Sequence, residues 1–277
     1  MGAPTRSEEP AALAAGSLRF REPLAAWSTP LPARVDRPGV RAFRFEYSSR
    51  GDRVPGLLLL PEEPGPYPLV VLQHGAGGSK ESDYLDAARL PWVRRGMAVA
   101  SIDFPLHGER ASAKLSELLL TGLADPQVEP GHARALWNEF TRQAVHDLGR
   151  ALDALAPHPE LDAARVAYAA FSLGAIVGAL YCPHDTRLRA AALALGGGGF
   201  GPSALDPARH ISRFAGRPLL LVNATRDERI PRSAAEALHA AAAEPKQLLW
   251  FECGHADLPG HALKAMWQFL ATALDHS

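Results

Sequence analysis

The chain has 277 residues, of which 47% are hydrophobic, and its 29 basic side chains nearly balance 30 acidic ones. This length fits one large α/β domain or two small ones, and the hydrophobic share is sufficient for a sizeable core. A net charge of −1 gives no electrostatic reason to expect nucleic acid or an anionic membrane as a partner. The two cysteines form no disulfide framework, and no short-spaced Cys/His cluster predicts a metal site.

The N-terminal residues differ in composition from the rest of the chain. Residues 1–38 are rich in Pro and Ala with weak periodicity, which predicts an N-terminal arm followed by a single domain over residues 39–277. The first residues lack the basic start and long apolar run of a secretory signal, and no stretch approaches 18 uninterrupted apolar residues. We therefore expect no membrane span and a cytoplasmic location.

The remaining elements follow in an alternating order. Residues 41–48 alternate polar and apolar side chains, and with the strand at 54–60 they predict an antiparallel hairpin at a sheet edge. The run at 69–73 is apolar on both faces, which predicts a buried parallel strand, and 97–102 and 218–223 predict further buried strands. Apolar runs at 166–170 and 190–195 predict two more strands, and residues 247–251 are the last predicted strand. Helical patterns separate them at 84–95, 133–156, after 172, at 233–243 and at 261–274. This order predicts a mostly parallel α/β sheet with helices on both faces.

One segment outside this alternation is harder to interpret. Residues 111–131 read as an excursion from the core, and their apolar run at 115–120 is followed by Trp137 and Phe140. These side chains form either part of the core or a small lid that lines an acyl pocket, in which case Leu119 and Trp137 contact the substrate. Only about 20 residues separate Gly196 from the strand at 218, so no large cap domain is expected there.

Polar residues at the carboxyl ends of the predicted strands indicate where chemistry is located. The strand at 166–170 runs into Ala170-Phe-Ser-Leu-Gly174, which has the form of a strained strand-to-helix turn that exposes Ser172. The alternative is an ordinary corner with a capping serine. Asp227 follows the strand at 218–223 and His255 follows the last strand, so the order is Ser, Asp, His. The segment His74-Gly-Ala-Gly-Gly78 follows the first buried strand, and its small residues, Gly75 among them, allow backbone N–H groups to face a cleft.

Each of these residues has a competing interpretation. Asp257 or Asp206 is an alternative acid to Asp227. His74 and His107 are expected to hold loops by hydrogen bonds rather than to act on substrate, and Asp103 to anchor a loop near the cleft. Cys253 is expected to be a buried bystander thiol despite its position two residues before His255.

These segments together resemble the α/β-hydrolases from about residue 40 to the C-terminus. Within that superfamily the chain is most similar to serine esterases of the dienelactone hydrolase and acetyl xylan esterase group, which also carry an N-terminal hairpin and an Asp-x-Pro-x-His-Gly stretch like that at 103–108. Small residues, Ala170 and Ala224, replace the usual glycines of the elbow and of the acid loop. Ser172 stands where dienelactone hydrolases proper have a cysteine nucleophile, which argues against that activity.

The resemblance implies an α/β-hydrolase fold and a serine carboxylesterase acting on small to medium esters, with no cofactor and no metal. Ser172 is then the nucleophile, Asp227 and His255 complete the triad, and the N–H groups of Ala76 and Leu173 form the oxyanion hole. Gly75, Leu119 and Trp137 are the expected substrate contacts. Acyl transfer or peptide hydrolysis on the same triad, and a non-catalytic binding protein, are the alternative functions.

Overall fold

The computed structural model describes residues 22–33, 36–124, 130–201 and 203–275. Its strands are β1 (Trp27–Pro30), β2 (Val40–Ser49), β3 (Asp52–Pro61), β4 (Tyr67–Gln73), β5 (Ala98–Ile102), β6 (Leu161–Phe171), β7 (Leu188–Ala194), β8 (Leu219–Ala224) and β9 (Lys246–Phe251). Its α-helices are α1 (Asp83–Val93), α2 (Ala113–Ala124), α3 (Pro130–Leu155), α4 (Leu173–Tyr181), α5 (Pro207–His210), α6 (Arg232–Ala241) and α7 (Gly260–Asp275).

The strands form one sheet in the order β1-β2-β3-β5-β4-β6-β7-β8-β9. The strands from β5 through β4 and β6 to β9 pair in parallel, whereas β1, β2 and β3 are antiparallel. The predicted hairpin is confirmed, and its two-residue turn places Arg50 at φ +49° and Gly51 at φ +84°. Two successive residues with positive φ match the twist of a tight hairpin, and glycine accepts that conformation without strain.

Two hydrophobic clusters cover the two faces of the sheet, which confirms the predicted layers. Alternate side chains of one strand point to opposite clusters: Leu58 belongs to the cluster that contains residues of α3 and α4, and Leu59 to the cluster that contains residues of α1 and α7. In β6, Tyr168 faces the first cluster and Ala169 the second. A strand buried on both faces needs the unbroken apolar run that the sequence shows at these positions.

Three regions lie outside the predicted alternation of elements. Residues 27–30 of the predicted arm pair with β2 as a short edge strand, while residues 1–21 lie outside the described part of the chain. In the excursion, residues 113–124 form α2, and residues 125–129 are not described. Between β7 and β8 the described residues form only short helical turns, so no large cap domain is present among them. No helix in the described ranges has the length and apolarity needed to cross a membrane.

Candidate active site

Ser172 occupies the corner between β6 and α4. Its backbone has φ +52° and ψ −117°, a conformation that side-chain-bearing residues rarely adopt. The Ser172 N–H donates to the carbonyl oxygen of Ala194 at 2.9 Å, which ties the corner to the end of β7. Strain of this kind persists only where the surrounding structure imposes it, and it is typical of functional sites. The local geometry is therefore that of a nucleophile elbow rather than of a capping serine, and Ser172 makes no side-chain cap to α4.

Close backbone approach explains why small residues surround Ser172. A Cβ atom added to Gly174 would lie 2.7 Å from the carbonyl oxygen of His74, closer than real contacts allow. A Cβ added to Gly75 would lie 3.2 Å from the Ser172 Cβ and 3.7 Å from its Oγ. Ala170 takes the place of the first glycine of the elbow pattern, and the buried end of β6 accommodates its methyl group. The loop after β4 therefore lies directly against the elbow.

Three side chains from separate strand ends meet at this corner. His255 Nε2 lies 2.9 Å from Ser172 Oγ, and His255 Nδ1 lies 2.9 and 2.8 Å from the two carboxylate oxygens of Asp227. Because a carboxylate only accepts, Nδ1 carries the ring proton and Nε2 is the acceptor for the Ser172 hydroxyl. The side chains of His255 and Asp227 are 6% and 4% exposed, so little water competes for these bonds.

Backbone N–H groups hold the acid in place. Asp227 Oδ1 accepts from the N–H groups of Arg229 and Ile230, both at 2.8 Å. The two alternative acids are engaged elsewhere. Asp206 accepts from the N–H groups of Gly199 and Ala208, and Asp257 accepts from Gly254 N–H. Among the described carboxylates, Asp227 is the one hydrogen-bonded to the His255 ring.

The loop after β4 presents backbone donors near Ser172. The Gly75 carbonyl accepts from His74 Nδ1 at 2.8 Å and from Gly78 N–H at 3.1 Å, so the peptide that carries the Ala76 N–H is fixed at its oxygen end. Within the described residues, the N–H groups of Ala76 and Leu173 have no hydrogen-bond partner. Both belong to segments that flank the Ser172 corner, so they are available there as donors to a ligand oxygen.

His74 has a structural role in this loop. It is fully buried, and its Nε2 accepts from Phe104 N–H at 3.2 Å while Nδ1 donates to the Gly75 carbonyl. Burial lowers the pKa of His74 to about 4, so the ring is neutral at pH 7 and keeps one donor and one acceptor. His107 is buried as well, its Nδ1 bonds the Pro105 carbonyl, and burial lowers its pKa.

A buried ion pair joins the loop after β4 to the loop after β5. Asp103, with no exposed surface, accepts from the N–H groups of Lys80 and Glu109 at 2.7 and 2.9 Å and from Lys80 Nζ at 3.2 Å. Burial lowers the pKa of Lys80, but its bonds to Glu109 and Asp103 outweigh that effect and raise it. The Arg44 guanidinium beside Glu109 holds the pKa of that carboxyl at about 2. Asp103 therefore anchors a loop, as the sequence indicates.

A cavity of about 280 Å³ opens on Ser172. It is lined mostly by apolar residues, namely Gly75, Ala76, Tyr84, Ala87, Phe171, Ser172, Leu195, Arg229, His255, Ala256, Leu258 and Leu263. Gly75 lies in this wall, whereas Leu119 and Trp137 are not among the described lining residues and are buried in the core cluster on the α3 face. Trp137 stacks on Phe140 with ring centroids 5.7 Å apart. The structure thus places these two side chains in the core, the first of the two interpretations of the excursion.

Two further features concern reactivity near the site. Cys253 is buried, and burial raises the pKa of its thiol, so its nucleophilic thiolate form is scarce at neutral pH.

Tyr84, which the sequence indicated only as a helix residue, accepts a hydrogen bond from Gly75 N–H at 2.7 Å. Among the described residues, no group of three or more His, Cys, Asp and Glu side chains is arranged to hold a metal ion.

The profile of the dienelactone hydrolase family matches residues 54–258, which contain the elbow, the acid loop and the histidine loop. The chain belongs to the dienelactone hydrolase family. Membership of this family supports a hydrolase that acts on small-molecule esters.

Solved structures show the same fold at low sequence identity. An acetyl xylan esterase from Paenibacillus sp. R4 aligns with a TM-score of 0.75 and 22% identity, covering 94% of this chain and 92% of that one. A cold-adapted esterase from an Arctic intertidal metagenomic library aligns with a TM-score of 0.73 and 22% identity, covering 89% and 97%. Acetyl xylan esterase 1 from Thermoanaerobacterium sp. JW/SL YS485 gives a TM-score of 0.69 and 17% identity, covering 90% and 88%. No curated protein sequence matched the chain.

Proposed function

We propose that the protein is a serine carboxylesterase that hydrolyses small to medium carboxylic esters through an acyl-enzyme. The observation that carries this proposal is the hydrogen-bonded series from Ser172 Oγ through His255 to Asp227, at a cavity whose wall includes Ala76. Family membership supports the same class of reaction.

The first half of the reaction transfers the acyl group to Ser172. His255 Nε2 accepts the Ser172 hydroxyl proton as Oγ bonds to the ester carbonyl carbon, and the carbonyl π pair moves to the oxygen. The N–H groups of Ala76 and Leu173 stabilise this oxyanion, and Asp227 stabilises the imidazolium. Collapse of the tetrahedral intermediate breaks the bond to the alkoxy oxygen, which leaves as the alcohol with the proton from His255.

The second half repeats these steps with water. His255 deprotonates a water that attacks the acyl carbon, and the returning proton restores the Ser172 hydroxyl as the carboxylic acid departs. A volume of about 280 Å³ lies at the small end of ligand pockets, which favours short acyl groups.

The direct test is hydrolysis of p-nitrophenyl acetate by the wild-type protein and by Ser172→Ala. We expect kcat of the variant to fall by about 10⁶-fold, and activity within about tenfold of the wild type would refute the assignment of Ser172. A fluorophosphonate probe should label Ser172 in the wild type, because the activated hydroxyl attacks phosphorus as it attacks an ester carbon. An unlabelled wild-type protein would favour the non-catalytic alternative.

A series of esters with acyl chains of increasing length should show kcat/KM falling once the acyl group exceeds the size of the cavity.

A further inference from the structure

Tyr84 contacts both segments that meet at the proposed catalytic site, namely the glycine-rich loop after β4 and the end of β6 before Ser172. It is the second residue of α1, its ring forms part of the cavity wall, and its hydroxyl oxygen accepts from Gly75 N–H at 2.7 Å. Its ring also meets Phe171, the residue before Ser172, edge-on, with centroids 6.0 Å apart and planes at 82°. Although 45% of the residue remains exposed, its hydroxyl is thus committed to the backbone beside the nucleophile.

Gly78 makes room for this contact. A Cβ added to Gly78 would lie 2.8 Å from the Tyr84 hydroxyl oxygen, too close for the phenol to keep its position. Gly78 is also the residue whose N–H donates to the Gly75 carbonyl. Packing therefore explains, in addition to the turn, why position 78 is a glycine. A side chain there would occupy the space in which the Tyr84 hydroxyl reaches the Gly75 N–H.

The two peptide groups of Gly75 are held from opposite sides. His74 Nδ1 and Gly78 N–H bind the carbonyl of the peptide that carries the Ala76 N–H, and Tyr84 binds the N–H of the preceding peptide. Because the Gly75 N–H donates to Tyr84, it is not available to a substrate. Glycine has the widest backbone freedom of any residue, so without these bonds the direction of the Ala76 N–H would be poorly defined.

We infer that Tyr84 is a positioning residue, whose hydroxyl fixes Gly75 and thereby directs the Ala76 N–H toward the developing oxyanion. This role rests on the proposed esterase function for its kinetic consequence, whereas the hydrogen bond itself can be tested without any substrate. Outright loss of an oxyanion donor lowers kcat by about 10²–10³-fold. Loss of a residue that only orients the donor should lower kcat by less, about tenfold.

The kinetic test uses Tyr84→Phe, which keeps the ring in the cavity wall. We expect kcat for p-nitrophenyl acetate to fall about tenfold with KM unchanged, because the hydroxyl acts on the transition state rather than on substrate binding. The inhibition constant of butylboronic acid, which forms a tetrahedral adduct with the serine, should rise by the same factor. A rise in KM alone, with kcat and boronate affinity unchanged, would overturn the proposal.

Two further variants separate positioning from a general effect on the fold. Tyr67→Phe is the matched control, because the Tyr67 hydroxyl donates to the Glu63 carbonyl and Tyr67 is not among the cavity residues. It should leave kcat unchanged. Gly78→Ala should lower kcat in the wild-type background and lower it less in the Tyr84→Phe background, where the phenol oxygen that it displaces is already absent. Additive losses would contradict the coupling.

Amide hydrogen exchange tests the bond independently of catalysis. The Gly75 N–H should exchange slowly in the wild type and faster in Tyr84→Phe, while exchange in the core of β6 stays the same. Unchanged Gly75 exchange would overturn the proposal whatever the protein hydrolyses. Conversely, a wild-type protein with no esterase activity but with Tyr84-dependent Gly75 exchange would refute the proposed function and leave the positioning contact established.

Discussion

The substitution Asp227→Asn tests the proposed hydrogen-bonded series Ser172–His255–Asp227 at its carboxylate, whose side chain is only 4% exposed. The Asp227 Oδ1 atom accepts from the N–H groups of Arg229 and Ile230, both at 2.8 Å. In the variant the amide oxygen must take that position, because an NH₂ group would oppose two N–H donors. The amide nitrogen then faces His255 Nδ1 from the Oδ2 position, which lies 2.8 Å away.

This exchange reverses the histidine tautomer. His255 Nδ1 must become an acceptor, so the ring proton moves to Nε2, the atom that lies 2.9 Å from Ser172 Oγ. Ser172 then has no base. A reversed tautomer of this kind costs about 10⁴-fold in kcat, or about 5 kcal/mol of transition-state stabilisation. The free energy of unfolding should change by less than about 1 kcal/mol, because both backbone donors keep their acceptor.

The assay is kcat for p-nitrophenyl acetate hydrolysis, with urea unfolding as the check on stability. Asp257→Asn is the matched control, since this carboxylate accepts only a long bond from Gly254 N–H at 3.4 Å within the described contacts, and it should stay within about threefold of wild type. Activity of Asp227→Asn within about tenfold of wild type would refute the tautomer argument. An equal loss in both variants would refute the assignment of the acid.

Three other outcomes follow from the packing. Gly174→Ala would place a carbon 2.7 Å from a backbone carbonyl oxygen, so we expect about 1–3 kcal/mol less stability and slower fluorophosphonate labelling; Gly260→Ala, whose added carbon meets nothing within 4 Å, should change neither. Burial lowers the pKa of His184 from 6.5 to about 4, so at pH 5 the unfolded chain binds a proton there that the folded chain does not. Between pH 7 and pH 5, urea unfolding should therefore show about 2 kcal/mol more loss of stability in the wild type than in His184→Gln, and equal losses would contradict this. Asp103→Ala leaves the buried Lys80 ammonium without one of its two carboxylate partners, and we expect about 3 kcal/mol of destabilisation by urea unfolding; a loss below about 1 kcal/mol would show that Glu109 suffices.

The fold was predictable where burial leaves a pattern in the sequence. Each central strand is apolar on both faces because both faces are buried, whereas polar and apolar residues alternate in β2, which is buried less completely. The edge strand β1 has no such pattern, since all four of its residues are exposed. Sequence periodicity likewise gave no sign of the short turns between β7 and β8, which are too brief to repeat a helical spacing.

The site was predictable to the extent that it depends on strand ends. Ser172, Asp227 and His255 each follow a recognisable strand, and the sheet brings strand ends together. The cavity wall was harder to predict from the sequence, because Leu119 and Trp137 have the same apolar character whether they face substrate or core. Tyr84 gave no signal, since its contact is with a backbone N–H group and leaves no trace in residue type.

The position of His255 after β9 makes activity sensitive to the margin of the sheet. Ser172 follows β6, whose last six residues are fully buried, whereas β9 is the outermost parallel strand and its side chains are only half-buried or exposed. Strands at the margin open at lower free energy than those at the centre. Fraying of β9 would separate His255 from Ser172, so the proposed esterase activity should be lost on heating before the helices melt, which parallel activity and circular dichroism measurements would check. The temperature at which activity is lost is then set by the opening of β9 rather than by unfolding of the central strands.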